Sequence, residues 1–429
     1  MCGAMYSEAF SRAAAKVSKF ASVTNSRYFD IHNTAFRSFR PAGEIRGRVL
    51  LAHEIAALLL DAGAPVPVTH NNFGEARTIL ETLLGLGFAV DVISRSRTRF
   101  RPRRRYDLLI APRASLARIA ATLNPDCIKV AHLDTAHWLF NNAAVFARER
   151  ALLERRGIAL ESHKFVASNT AIEVADYATL LGNDFDYQTY AFAGKPVFQV
   201  PNPAAMLYPW NPDKDFAAAR TRFLWIGSHG LVHKGLDLVL EAFARMPEYH
   251  LTVCGPIKAD PAFEAAFHRE LYLTPNIETL GWVDISSPAF AALLQRTVAL
   301  VYPSCAEACC GTVVNSMQAG LIPLVSAESG VDIDPDFGMI LGETSVEAVE
   351  QAVRALAGRP PADLAAMARR AWTVARATYT RENYRAVFGA AIERIMHERE
   401  HPGPGIEGFV RMPGSHRRDI GRRRTLRVG

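Results

Sequence analysis

The stretch FLWIGSHGLVHKGLD, from Phe223 to Asp237, decides the fold. Its opening run, Phe223–Ile226, has the length and residue types of a buried strand. Gly227 ends the run, a loop follows, and a helix opens near Gly235 and Leu236. Glycine lets a backbone approach a ligand closely. The free N–H groups at a helix start attract anions, phosphate above all. Lys234 supplies a matching charge. The stretch is neither a GxxxxGK[ST] loop nor a GxGxxG loop. A plain turn carrying a solvated lysine fits it about as well.

Outward from this stretch, short apolar runs alternate with helical patterns in two series. Before it lie strand candidates at 48–52, 65–69, 89–94, 107–111, 127–132, 164–167 and 197–200, with helical patterns at 75–86 and 114–123. From it onward lie 222–226, 250–254, 277–280, 299–302 and 322–326, with helices near 236–244, 261–271, 288–295 and 312–319. Such alternation predicts parallel sheets covered on both faces. Two series predict an α/β chain of two doubly wound, Rossmann-like domains. Their joint is expected in the proline-rich 201–215, and a ligand in the cleft outside the carboxyl ends of the strands.

A second stretch, YPSCAEACCGTVVNSMQAGLIPLVS (302–326), repeats the plan. A strand ends at Pro303-Ser304, and Glu307 stands alone among small residues before a helix that Gly320 closes. A carboxylate there can accept hydrogen bonds from sugar hydroxyls. Facing Gly227 and Lys234, it would complete a site for a phosphate-bearing sugar.

The bulk composition narrows the classes. The chain has 429 residues, 49% hydrophobic and 21% charged, which excludes a wholly disordered chain. No apolar run reaches the roughly 18–20 residues of a membrane span, and the first residues read as a surface helix rather than a secretory leader. Six cysteines are too sparse for a disulfide framework, and none is spaced for zinc. They read as buried thiols in a reducing compartment, so the expected location is cytoplasmic. The net charge is +6. Segment 95–105 carries +7 and segment 401–429 carries +5, which leaves −6 for the rest. A solvated loop and a disordered tail are the expected readings of the two basic segments. Contact with anionic lipid at the inner face of a membrane is the sharper alternative. Nucleic acid is not expected as a partner, because the arginine run lacks interleaved aromatics apart from Phe100.

Taken together, the two stretches resemble the C-terminal half of group 1, family 4-like glycosyltransferases of the GT-B architecture. The resemblance rests on Gly227…Lys234-Gly235, Gly255-Pro256, Gly281-Trp282-Val283, and Pro303-Ser304-x-x-Glu307…Met317…Gly320-x-x-Pro323. It implies transfer of a sugar from a nucleotide diphosphate sugar to a glycan or lipid-linked acceptor, with retention and without a metal or other cofactor. It implies an N-terminal extension (1–44), an acceptor domain (45–205), a nucleotide-sugar domain (216–380), a C-terminal helix (381–400) and a basic disordered tail (401–429). By this resemblance Lys234 binds the donor diphosphate and Glu307 the transferred sugar. Gly227, Ser228, Gly255, Trp282, Val283, Gly311, Thr312 and Asn315 complete the donor side. Gly74 is expected to begin a helix at the acceptor side. His132 is a candidate catalytic histidine, with His137 competing for the place.

Three features depart from the family pattern. Ser228 stands where an arginine is usual, Asn315 replaces a ribose-binding glutamate, and Ala308-Cys309-Cys310 replaces Gly-Phe-Gly. They motivate the alternative of a catalytically degenerate GT-B-like protein that binds nucleotide or sugar without turnover. Asp332-Ile-Asp334 spells DxD, a metal motif of the other glycosyltransferase architecture, and is read as chance.

Overall fold

The computed structural model describes residues 35–60, 64–97, 99–162, 164–401 and 406–414. Its first sheet contains β1 (Phe36–Phe39), β2 (Gly47–His53), β3 (Phe88–Ser94), β4 (Leu108–Pro112), β5 (Ile128–Leu133), β6 (Tyr177–Leu181) and β7 (Val197–Val200). The second contains β8 (Arg222–Ile226), β9 (His250–Cys254), β10 (Ile277–Gly281), β11 (Ala299–Tyr302), β12 (Ile322–Val325) and β13 (Met339–Ile340). A final strand, β14 (Phe409–Val410), returns to the first sheet. The orders are β1-β3-β2-β4-β5-β6-β7-β14 and β10-β9-β8-β11-β12-β13. All pairings are parallel except that of β1 with β3. Among the parallel strands each order reverses once, between β2 and β4 and between β8 and β11. Crevices for ligands open at such reversals.

The apolar runs become strands because both faces of each sheet are covered. Phe223, Leu224 and Trp225 of β8 are fully buried, as are Leu300 to Tyr302 of β11. Removing a side chain of phenylalanine size from water contributes about 1.5–3 kcal/mol. Local chemistry sets the helix starts: Asp215, Asp260, Ser287, Ser345 and Thr380 each accept a main-chain N–H of the following turn. Two expected strands do not form. Pro65 and Pro67 lack the N–H groups a ladder needs. At 164–167 the side chain of Asn142 takes a strand partner's place: it accepts from Val166 N and donates to Val166 O, both at 2.9 Å.

The helix Arg381–Glu400 packs against the helix Asn71–Gly85 of the first domain, with Tyr177 hydroxyl to Glu398 at 3.2 Å. The helix Trp138–Arg156 crosses to the second domain as a row of arginines. Arg155 donates to Asp237 at 2.8 Å and to Glu241 at 2.9 Å, Arg156 to Glu270 at 2.7 Å, and Arg148 to Asp237 at 3.4 Å. The carboxyl ends of the two sheets are thereby held face to face.

Two readings of the chain ends change. The tail expected to be disordered contributes β14, where Val197 N donates to Gly408 O at 2.9 Å and Phe409 stacks on Tyr187. Burying an edge outweighs the basic composition there. The end of the 1–44 extension forms β1 at the opposite edge. Residues 1–34, 402–405 and 415–429 lie outside those described. The arginine run is not wholly solvated either: Arg95 pairs with Glu54, Arg104 with Asp91 and Arg105 with Asp126.

Candidate active site

The loop after β8 and the loop after β11 meet at Lys234 and Glu307. The Lys234 ammonium donates to Glu307 Oε1 at 2.6 Å and to the Tyr302 hydroxyl at 2.8 Å. Tyr302 and Ser304 donate to the same carboxylate oxygen at 3.3 Å each. Burial alone would raise the Glu307 carboxyl; Lys234, then His233 and Lys164, outweigh it and bring it down to about 2. Burial alone would lower the Lys234 amine, and Glu307 reverses that. Both groups are therefore ionised. Lys234 is 6% exposed and Glu307 19%, so the pair opens to the cleft through its carboxylate. His233, 3.8 Å from Glu307, is held at about 4 by burial against the pull of the carboxylate, and is neutral at pH 7.

Glycines let these loops close together. A Cβ on Gly235, whose φ is +76°, would sit 2.9 Å from the Pro303 carbonyl carbon. One on Gly227 would meet the Trp225 ring at 2.7 Å, and one on Gly255 the Gly227 carbonyl oxygen at 2.8 Å. Trp282 is 60% exposed and Val283 half-buried, on the loop after β10. Gly311 and Thr312 open the helix Gly311–Gln318, whose first turn faces Asn71 of the first domain. Ser228 lies on the loop between Gly227 and Lys234, partly exposed.

The first domain supplies the facing wall. Ala136 N donates to Glu307 O at 3.0 Å, and Cys309 N to Leu181 O at 2.8 Å. Asn202 donates to Cys309 O at 2.7 Å. Asn183 donates to Asp332 at 3.0 Å, so this aspartate of the DxD stretch binds a side chain of the other domain.

Four expected site residues take other places. His132 is 1% exposed and both ring nitrogens are engaged: Nδ1 with Thr179 at 2.7 Å and Nε2 with Glu75 at 2.8 Å. It is buried, with both nitrogens held by residues of the first domain. Asn315 was assigned to a ribose. Its amide instead donates to Asn71 at 3.0 Å and accepts from Ala205 N at 2.9 Å, which joins the linker to both domains. Gly74 does not begin its helix, which starts at Asn71 after the cap His70; a Cβ there would strike the Arg381 guanidinium at 2.8 Å. His137 precedes the helix Trp138–Arg156 with its ring among Trp138, Tyr190 and Phe192, the nearest 5.0 Å away.

Among the described residues, one group has metal-ligand spacing: His53, Glu75 and His132, with ligand atoms within 4.8 Å of one another. A ligating histidine needs a lone pair toward the metal and a proton on its other nitrogen. His53 Nδ1 accepts the Glu54 N–H at 2.8 Å, so in neutral His53 the proton sits on Nε2, which faces Glu75 at 3.8 Å. The donor set fits a buried carboxylate held by two imidazoles rather than a metal. The five described cysteines are free and buried, and Cys305 Sγ lies 3.6 Å from His233 Nδ1.

Lys164 is a site residue that sequence reasoning missed. It sits on the loop after the helix Trp138–Arg156, and its stem lies on Gly230 across the cleft. The run KFVA reads as a strand, and nothing in its spacing ties it to Lys234.

Residues 220–359 match the family described as glycosyl transferases, group 1. The fold is GT-B, two Rossmann-like domains facing across a cleft. Sucrose-phosphate synthase of Thermosynechococcus elongatus is similar at a TM-score of 0.59 and 15% identity, over 82% of this chain and 100% of that one. HepE of Anabaena, solved with UDP and glucose, is similar at 0.54 and 13%, over 81% and 100%. A TarM mutant of S. aureus, solved with UDP among its ligands, is similar at 0.49 and 11%, and this chain covers 54% of its length. At these identities the likeness is one of fold. No curated protein matches the chain.

Proposed function

We propose that the protein is a glycosyltransferase that moves a hexosyl group from a nucleotide diphosphate sugar to a glycan or lipid-linked acceptor, with retention and without a metal. The observation that carries this reading is the buried Lys234–Glu307 pair at the strand ends of the domain that matches the family. An arriving diphosphate competes for the Lys234 ammonium and frees Glu307 to accept hydrogen bonds from sugar hydroxyls. Lys234 and N–H groups of the loop between Gly227 and Lys234 then stabilise charge on the departing diphosphate, where such preorganised donors have their largest effect. The leaving phosphate takes the acceptor proton, so no protein nucleophile is assigned. In this reading Trp282, which is exposed on the loop after β10, and Val283 contact the base. A lipid-linked acceptor would put the reaction at an anionic membrane face; no described helix is long and apolar enough to cross a membrane.

The test is nucleotide release from UDP-, GDP-, dTDP- and ADP-hexoses, with slow hydrolysis as the acceptor-independent readout. Release from one donor, unchanged by a chelator, is expected. Glu307→Gln should lower it by about 100-fold or more while nucleotide affinity stays within about threefold. Nucleotide binding with no release from any donor would favour the non-catalytic alternative. Equal losses of binding and release in Glu307→Gln would remove the sugar role of Glu307.

A further inference from the structure

Lys164 belongs to the first domain, but its stem lies over a loop of the second. Its carbonyl oxygen accepts from Asn141 Nδ2 at 2.9 Å, which ties it to the helix Trp138–Arg156, and that helix is clamped to Asp237, Glu241 and Glu270 by three arginines. From this anchor the side chain runs over the loop that follows β8. A Cβ on Gly230, where φ is +87°, would lie 2.8 Å from Lys164 Cε. Only the absence of a side chain at Gly230 leaves room for the stem.

The charge balance there is lopsided. Lys164 makes no ion pair among the described residues, whereas Arg113, the nearby arginine, pairs with Asp134. Glu307, the carboxylate that offsets the Lys164 charge, is committed to Lys234 at 2.6 Å. Burial lowers the Lys164 amine, Lys234 lowers it further, and Glu307 opposes both. Two ammonium groups from two domains thus act on one carboxylate. Such an arrangement favours a ligand of more than one negative charge between them. Ser228, beside Gly227, contributes no cation.

We propose that Lys164 is a second ligand of the donor diphosphate, delivered across the cleft by the arginine-clamped helix, so that tight donor binding requires the closed arrangement of the domains. The proposal rests on the glycosyltransferase reading of the site. The Lys164 ammonium donates to one phosphate and Lys234 to the other. Lys164 therefore distinguishes a nucleoside diphosphate from a monophosphate.

The experiment is calorimetric titration of the full chain with UDP, GDP, dTDP and ADP, with the matching monophosphates, and with inorganic pyrophosphate. Lys164→Met keeps the stem and removes the charge; Lys164→Arg keeps the charge. A charge-assisted contact of this kind is worth about tenfold or more in affinity. Lys164→Met should weaken the preferred diphosphate and pyrophosphate by about that factor, and the monophosphate by less than about threefold. Lys164→Arg, which keeps the charge, should retain more diphosphate affinity than Lys164→Met. A packing role alone would instead lower the melting temperature and weaken mono- and diphosphate alike, and that result overturns the proposal. Unchanged diphosphate affinity in Lys164→Met, with affinity lost in Lys234→Ala, overturns the Lys164 assignment and leaves the function standing. Absence of diphosphate binding in the wild type overturns both.

Discussion

At the scale of the residue, the account turns on two side chains that need one another. Removing one partner of a buried ion pair strands the other charge and costs about 3–5 kcal/mol. Lys234→Ala should therefore lower the melting temperature, and Lys234→Ala combined with Glu307→Gln should recover part of the loss. A double variant as unstable as the sum of the singles would show that the pair is not coupled. The pair also has a signature in pH. The folded Glu307 carboxyl lies at about 2, below its ordinary value of 4.5. The unfolded chain then binds the proton first as pH falls. The stability from this pair is complete above about pH 4.5 and is lost toward pH 2. The gap in urea midpoint between wild type and Glu307→Gln should narrow across that window; a constant gap would contradict the assignment. That Lys234 and Glu307 would face each other was legible because each sits where a strand gives way to a helix. Asn315 was misread because its amide suits a ribose and a neighbouring asparagine equally, and only the closed cleft brings Asn71 to it. His132 was misread for a related reason: a strand-end position does not reveal that Glu75 and Thr179 already hold both its nitrogens.

At the scale of the element, the helix Trp138–Arg156 and the linker 201–215 hold the domains together; proline density marks the linker, but the role of the helix is not written in local sequence. The helix reads as an ordinary amphipathic one, and its arginines find acids far along the chain. Asp237 is fully buried between Arg148 and Arg155. Asp237→Ala should cost about 2–4 kcal/mol and increase the radius of gyration in small-angle scattering as the cleft opens. An unchanged radius would mean that other contacts close it. In the linker, the Lys214 amine is buried beside the Phe216 ring at 5.3 Å, with no hydrogen-bond partner among the described residues. Burial brings it down to about 7 from 10.5. Between those values the unfolded chain holds a proton that the folded one lacks, so stability climbs as pH rises from about 7 to 10.5. Lys214→Met should raise the melting temperature at pH 7 and flatten that climb. A lower melting temperature would mean that the ammonium has a partner.

At the scale of the whole molecule, the two-domain plan was legible because buried parallel strands are continuous apolar runs that repeat between helical patterns. The second domain was read strand by strand up to β12 for this reason. The edges were not. Strand β13 has two residues and β14 has two, too short to show a period, and β14 lies in a basic segment whose composition argues for disorder. Strand pairing there is paid for by covering β7 and stacking Phe409 on Tyr187. A chain ending at Glu400 should therefore melt at a lower temperature, since β7 becomes an open edge. An unchanged melting curve would show that β14 adds nothing to the fold. The central claim is that the cleft between the domains binds a nucleotide diphosphate sugar through Lys234. The most direct test is calorimetric binding of UDP, GDP, dTDP, ADP and CMP to wild type and to Lys234→Ala. The account predicts selective binding of one diphosphate by the wild type and its loss in the variant. Binding that survives in Lys234→Ala, or no binding to the folded wild type, would contradict it.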